Sequence, residues 1–342
     1  MKTNILTFVT IAAAILFTSC EKEIEFNGEQ TDPKLVINSL IKPGQPVKAS
    51  LSKSVFFLDN NGSTTAPDDI LASLYVNGNH LGELTRHTDS VWTGAYEYDE
   101  EGNLFQIFKI VTVFTNDYCP VAGDIVKITA SANGFDDVEG ETSPLPQFLE
   151  WSLGDSKITN LETEYYNEEE DTVWTIWGSF ELTILLQDPN SNNTDFYRLW
   201  ARSDNYDDYM NDSRCYITPT YDDPVFGSVV AENDFFDLNL DTAPEGVFTD
   251  VLFDGKTYSL KLPLSVYGTY RNHPDSDVFR VPIVMQHLSK EYYNYLNTCE
   301  QTDEVMQFFA EPIQTYSNVK GGFGLVGGCA SDTLWFNLPL ER

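Results

Sequence analysis

The sequence has few basic side chains and few histidines. Its 342 residues include 20 Lys and Arg against 53 Asp and Glu, with four His, and the formal net charge at pH 7 is −33. Nucleic-acid binding depends on Lys and Arg that neutralise phosphates, so this balance excludes a nucleic-acid partner. The negative charge also disfavours flat adhesion to anionic lipid headgroups, so any attachment to a membrane must come from another feature of the chain.

Catalytic and cofactor motifs are missing as well. The chain has no H-E-x-x-H pair, no C-x-x-C pair and no G-x-S-x-G elbow. Residues 322–327 match G-x-G-x-x-G, but a dinucleotide site needs a following helix, and only a β-type ending follows here. We therefore predict a glycine-rich turn at this place, no enzyme activity and no cofactor. An extracellular hydrolase is the weakest of the alternatives.

No apolar run is long enough to cross a membrane as a helix, which needs about 20 residues. The N-terminal run from Ile5 to Phe17 follows Lys2 and precedes small residues, which is typical of a secretory signal. Leu16-Phe17-Thr18-Ser19 before Cys20 is typical of a bacterial lipobox. We predict that residues 1–19 are the signal peptide and that Cys20 carries palmitate-type acyl chains, which can hold the protein on a membrane. The alternative is an ordinary signal peptide in which Cys20 is incidental.

Residues 20–33 are polar and charged and have no period, so we predict a tether between the lipid and the folded part. Acidic residues directly after the cysteine, as in Glu21-Lys22-Glu23, resemble the signal that sends lipoproteins of Bacteroidota to the outer face of the outer membrane. The predicted location is therefore the outer membrane, lipid-anchored and facing the cell exterior. A plain solvated spacer is the alternative.

An exported protein can form disulfides, and four cysteines remain after lipidation. These are Cys119, Cys215, Cys299 and Cys329. Four cysteines allow three pairings, which the sequence alone does not separate. We favour a disulfide between Cys299 and Cys329 because both lie in the C-terminal segment.

The pattern of apolar residues predicts a mainly β protein. Residues 34–146 have short strands separated by turn signals, including a hairpin across Asn77-Gly78, which is typical of an immunoglobulin-like β-sandwich. A boundary is predicted near Pro146. Residues 147–342 are predicted to form a second β-rich domain with one or two short helices, and Ser289 is the predicted N-cap of one. Within it we predict an acidic loop at 162–171, a surface loop at 203–223 and a closing loop at 317–328.

The predicted surface loop is rich in Asp and Tyr. Its carboxylates, at positions 204, 207, 208, 212, 222 and 223, could converge on calcium, but such runs usually face water, and no metal site is predicted. Tyrosine combines a large contact area with a polar tip and suits binding surfaces. Tyr206, Tyr209, Tyr216 and Tyr221 are therefore candidate ligand or partner contacts. The alternative is that several of them pack on the core of their own domain.

Several stretches together resemble one family. They are Asp188-Pro189, Asp195-Phe196-Tyr197-Arg198, residues 249–256, residues 288–296, Phe309-Ala310-Glu311-Pro312, residues 316–327, and the opening segments 20–25 and 35–39. The chain resembles the domain-of-unknown-function family 4249, lipoproteins typical of Bacteroidota. The resemblance implies no catalytic residues. It implies association with a TonB-dependent outer-membrane receptor, and hence a binding or accessory role in uptake; the alternative is a structural or adhesive cell-surface β-sandwich protein.

Overall fold

Strands dominate the residues that the computed structural model describes, which are 32–56, 63–98, 104–148, 150–168, 171–188, 194–201, 214–227, 246–271, 278–299 and 315–339. The strands are β1 (Leu35–Ile41), β2 (Val47–Lys53), β3 (Leu71–Val76), β4 (Asn79–Glu83), β5 (Thr85–Tyr98), β6 (Leu104–Asn116), β7 (Val126–Ser131), β8 (Val138–Glu141), β9 (Glu150–Glu168), β10 (Asp171–Gln187), β11 (Phe196–Ala201), β12 (Arg214–Pro219), β13 (Val247–Thr249), β14 (Thr257–Arg271), β15 (Val278–Leu288), β16 (Val319–Lys320) and β17 (Phe323–Pro339). One α-helix, α1 (Lys290–Cys299), and two 3₁₀ turns, Pro224–Gly227 and Asp250–Leu252, complete the described part.

The strands form three sheets. The largest has eight strands in the order β13-β11-β15-β17-β1-β2-β6-β5, and the others have the orders β12-β14-β10-β9 and β16-β8-β7-β3-β4. In the eight-stranded sheet, β17 pairs in parallel with β1 from Val36↔Phe323 to Ile41↔Gly328 and antiparallel with β15 farther along. The last long strand therefore joins the beginning of the chain to its C-terminal half.

Two apolar clusters lie on this framework, because alternate side chains of a strand point to opposite faces. The first joins side chains of β1 and β2 to those of β3 and β7 and includes Ile37, Leu74 and Ile128, all fully buried. The second joins β11 and β15 to β10 and β14 and includes Tyr197 and Leu260. In each case two sheets pack face to face, so the mainly β, sandwich-like fold is confirmed.

Helix α1 packs against a third, smaller cluster. Tyr293 and Leu296 on the helix lie with Leu288 and Cys329 of neighbouring strands. Ser289 precedes the helix, and its hydroxyl accepts a hydrogen bond from the backbone N–H of Tyr292 at 3.4 Å, as predicted for an N-cap. Within the described chain, no helix is both long and apolar enough to cross a bilayer.

Three loop predictions are wrong. The predicted acidic loop at 162–171 is a hairpin, since β9 continues to Glu168 and β10 begins at Asp171. Acidic side chains can lie in this strand because Glu162 and Glu164 are on the exposed face of β9. The predicted surface loop at 203–223 contains β12. The predicted closing loop at 317–328 contains β16 and the beginning of β17, so the glycine-rich turn predicted at 322–327 is mostly strand.

The predicted domain boundary near Pro146 lies between most residues of the first apolar cluster and all of those of the second; Val319 and Val326 of the first cluster come after it. The eight-stranded sheet nevertheless contains strands from both sides of it, and residues 33–342 form one compact unit by their contacts. The division into domains at 34–146 and 147–342 stays a prediction. The predicted signal peptide and tether fall almost entirely outside the described residues.

Candidate functional site

A group of aspartates stands where strands of two different sheets begin and end. Asp188 follows β10, and Asp254 lies in the turn before β14, so both belong to the four-stranded sheet. Asp195 precedes β11, and Asp250 starts the 3₁₀ turn after β13, so both lie at the edge of the eight-stranded sheet. We call these four residues the carboxylate cluster.

Backbone hydrogen bonds that extend the strand ladders bring the four residues together. The N–H of Asp188 donates to the carbonyl oxygen of Lys256 at 3.2 Å, and that of Asp250 donates to the carbonyl oxygen of Asp195 at 3.2 Å. The N–H of Gly255 donates to Oδ2 of Asp188 at 2.5 Å. One carboxylate oxygen from each of Asp188, Asp250 and Asp254 lies within 4.8 Å of the other two.

Two members of the carboxylate cluster are deeply buried, with Asp188 exposed by 4% and Asp250 by 1%. Burial, together with the negative charges of Asp195, Asp188 and Asp254, raises the pKa of Asp250 to about 6, although a hydrogen bond that its carboxylate accepts from the backbone of Asp195 lowers it. In the described residues, Oδ2 of Asp250 and Oδ2 of Asp195 are buried without a hydrogen-bond partner. The salt bridges found there include neither Asp250 nor Asp254.

The hydroxyl of Tyr197 lies near enough to the same aspartates to be affected by their charges. Tyr197 is fully buried on β11, and its ring lies 5.4 Å from that of Phe248 and 6.2 Å from that of Phe253. Burial raises the pKa of this phenol, and the charges of Asp195, Asp188 and Asp250 raise it further, so the group is neutral. Its oxygen has no hydrogen-bond partner among the described residues.

His287 lies beside the cluster. Its Nε2 lies 3.5 Å from Oδ1 of Asp195, and its Nδ1 lies 2.9 Å from the carbonyl oxygen of Gln147. Because a carbonyl oxygen only accepts, Nδ1 carries a proton. Asp195 therefore has a basic neighbour within the cluster.

Carboxylate and hydroxyl oxygens are donors for hard cations such as Ca²⁺ and Mg²⁺, so this donor set can hold a metal ion. The sequence predicted no metal site, and these four aspartates were not among its calcium candidates. The signal that could have found the cluster was the position of its members beside strand ends, inside three of the stretches that carry the family resemblance.

The aspartates considered from the sequence have other surroundings where the structure describes them. Asp223 accepts hydrogen bonds from the hydroxyl of Tyr258 at 2.6 Å and from the N–H groups of Val225 and Lys261. It therefore stabilises a turn rather than an ion. The aspartates at 204, 207, 208 and 212 lie outside the described residues.

The four candidate tyrosines also differ in whether the structure describes them and in what they contact. Tyr206 and Tyr209 lie outside the described residues. Tyr216 is exposed on β12 directly opposite Tyr267 of β14, which is also exposed. Tyr221 is half-buried, and its hydroxyl donates to the carbonyl oxygen of Leu199 at 3.0 Å. Tyr221 thus packs on the core, while Tyr216 stays a predicted contact residue.

The predicted disulfide between Cys299 and Cys329 is not formed in the structure, where each is a thiol. A hydrogen bond with Cys299 raises the pKa of Tyr295 to about 12, with burial acting in the same direction. Cys329 is fully buried, and burial raises its pKa to about 11. Cys119 is exposed, and the side chain of Cys215 lies outside the description.

The β5–β6 hairpin leaves the body of the protein. Within the described residues, β6 pairs with β2 only through residues 114–116, while it pairs with β5 from Thr115 to Leu104. We call residues 87–98 and 104–113 the arm; about ten residues per strand make it roughly 30 Å long. Phe114 at its base is buried, whereas Ile110 and Phe108 on the same face are 78% and 53% exposed.

These features define a mainly β, sandwich-like protein with a buried carboxylate cluster and a protruding two-stranded arm. The family described as a domain of unknown function (DUF4249) matches residues 21–334. The chain therefore belongs to this family, as the resemblance indicated. A comparison with curated proteins found no match.

Proposed function

We propose that the protein is a lipid-anchored outer-membrane protein, facing the cell exterior, that binds a partner as an accessory of a TonB-dependent uptake system. In this proposal Cys20 carries the acyl chains, residues 20–33 are the tether, and the partner is the TonB-dependent receptor. Support for the anchor comes from the lipobox pattern and from the acidic residues that follow it.

The observation that carries the binding role is the apolar stripe of the arm. A hairpin of two strands is marginally stable by itself in water, and contiguous exposed apolar surface is typical of interaction sites. The stripe begins at buried Phe114 and continues outward through half-buried Thr112 to exposed Ile110 and Phe108. A partner that covers this face would remove the apolar side chains from water and stabilise the arm.

A pull-down of the tagged, lipidated protein from outer membranes in mild detergent tests the proposal. We expect one TonB-dependent receptor in near-equal amount with the wild type. The double variant Phe108→Ser/Ile110→Ser should recover at least ten-fold less receptor than the wild type. A matched control is Leu71→Ser, which changes another exposed apolar side chain, 61% exposed, on β3 and should recover the receptor fully.

Circular dichroism of each variant confirms that the body is folded before the pull-downs are compared. Recovery of no receptor, in a sample whose lipidation is verified by mass spectrometry, would overturn the uptake role and favour the adhesive surface protein instead. Equal recovery by the arm variant and the control would show that the receptor binds elsewhere on the chain.

A further inference from the structure

We propose that Asp188, Asp250 and Asp254 bind one Ca²⁺ ion, with the hydroxyl of Tyr197 facing the same site. The inference is independent of the partner proposed above. It rests on the distances between oxygen atoms, on the burial of the groups and on two polar atoms that have no partner within the described protein.

Geometry is the first argument. Ca²⁺ binds oxygen at 2.3–2.6 Å, so oxygens on opposite sides of the ion are separated by about 4.6–5.2 Å. One oxygen from each of the three aspartates lies within 4.8 Å of the other two, so a single ion can contact all three. Mg²⁺ binds at about 2.0–2.1 Å and requires a near-ideal octahedron, whereas Ca²⁺ accepts irregular sets of oxygen ligands, so we name Ca²⁺ as the ion.

Burial is the second argument. A carboxylate that leaves water requires a charged partner or full hydrogen bonding, because its desolvation costs several kcal/mol in order of magnitude. Asp250 is 1% exposed, and its Oδ2 has neither an ion pair nor a hydrogen bond among the described residues. A proton shared with a neighbouring carboxylate would need a short hydrogen bond at this oxygen, and the described structure has none. A cation bound at this oxygen supplies the missing charged partner.

The third argument comes from a residue outside the acidic group. The hydroxyl of Tyr197 is fully buried and has no hydrogen-bond partner, although an unpartnered buried hydroxyl costs roughly 1–3 kcal/mol. It lies close enough to Asp188 and Asp250 for their charges to act on it. This neutral oxygen, facing a group of carboxylates, supplies either a further ligand or a hydrogen bond to a water on the ion.

The position of the site gives the ion a structural role. Asp188 and Asp254 belong to turns of the four-stranded sheet, and Asp250 belongs to the edge of the eight-stranded sheet. An ion held by all three connects the two sheets that enclose the second apolar cluster. Removal of calcium should therefore lower the melting temperature as well as release the ion.

The test is isothermal titration of the full-length protein in mild detergent with Ca²⁺, after dialysis against a chelator. Thermal unfolding is followed in the same samples at 0.15 M NaCl, about the physiological ionic strength, which screens loose surface binding. We expect one site with a Kd of about 10⁻⁴–10⁻³ M, the range of extracellular calcium modules, and a melting temperature that rises with Ca²⁺. Mg²⁺ at equal concentration should bind at least ten-fold more weakly.

Three variants distinguish a specific Ca²⁺ site from diffuse attraction of Ca²⁺ to an acidic protein. Asp250→Asn should weaken Ca²⁺ binding at least ten-fold and abolish the thermal shift. Asp254→Asn changes an exposed member of the group, keeps the packing intact and should act in the same direction. The matched control Asp155→Asn removes an exposed carboxylate on β9 and should leave binding unchanged.

Two results would overturn the proposal. One is the absence of both heat and thermal shift at 10 mM Ca²⁺ in the folded wild type. The other is an equal response of the wild type, Asp254→Asn and Asp155→Asn, which would show that Ca²⁺ binds only diffusely to the surface. If Asp250→Asn fails to fold, the comparison of Asp254→Asn with Asp155→Asn decides the question.

Discussion

Replacing Gly324 by alanine should strongly destabilise the protein. Gly324 lies at the start of β17, opposite Ile37 of β1, and has a φ of +115°. A Cβ there would lie 2.8 Å from the carbonyl carbon of Ile37 and closer still to its oxygen. Non-bonded carbon atoms prefer about 3.5–4.0 Å, so the two strands must separate by roughly 1 Å.

The cost has two parts. A non-glycine residue in this backbone region costs about 1–3 kcal/mol. Separation of β1 from β17 weakens two or three ladder hydrogen bonds, at about 1 kcal/mol each. We therefore expect Gly324→Ala to lower the free energy of unfolding by about 3–6 kcal/mol, a large share of the 5–15 kcal/mol typical of a folded domain.

Urea denaturation followed by circular dichroism measures this loss, and Gly44→Ala is the matched control. Gly44 also has positive φ, +77°, but a Cβ there meets nothing within 4 Å. The control should cost about 1–2 kcal/mol from backbone strain alone. If Gly324→Ala costs no more than Gly44→Ala, close approach of β1 is not the reason for glycine at this position.

Three further predictions concern local interactions. Cys329, which is buried and has a raised pKa, should react with a maleimide at pH 7.5 at least 100-fold more slowly than exposed Cys119, and peptide mass spectrometry should show equal rates in 8 M urea. Ser289→Ala should lower the free energy of unfolding by about 2–4 kcal/mol, because it removes the N-cap and leaves the N–H of Gly328 unpaired; a loss below 0.5 kcal/mol in urea denaturation would contradict this. Asn77→Ala should lower the free energy of unfolding by about 2–3 kcal/mol, because Asn77 has a φ of 50° and makes two side-chain hydrogen bonds. Asn77→Gly should lower it less, because glycine adopts this φ without strain and only the two hydrogen bonds are lost.

The sequence predicts the elements whose determinants are local. Strand β11, Phe196–Ala201, follows from its own short run of mostly apolar and aromatic residues, every second one of which is buried. The turn at Asn77-Gly78 has the positive φ angles that its residue types favour. Ser289 caps α1 because the cap acts on the first turn of its own helix.

The elements that the sequence did not predict depend on how strands pair. Acidic residues such as Glu164 lie in a strand because they pair with residues of β10 such as Thr175, and most of that partner strand lies beyond residues 162–171. The carboxylate cluster forms because two separate registers, Gln187↔Thr257 and Phe196↔Thr249, bring four aspartates to one place. The sequence pointed instead to the aspartate-rich segment 204–223, because composition shows how many carboxylates a segment has and not which of them lie together in the fold.

The central position of β17 constrains the order in which the chain can fold. The N–H of Leu325 donates to the side-chain oxygen of Asn38 across a separation of 287 positions, and β17 lies between β1 and β15 rather than at an edge. Contacts of such high sequence separation are formed slowly, because the entropy of closing the loop is lost before the contacts stabilise it. The eight-stranded sheet therefore cannot close until the final segment of the chain has been made. A C-terminal truncation would leave two long unpaired edges in the middle of the sheet, which is a template for aggregation rather than a shorter version of the same fold.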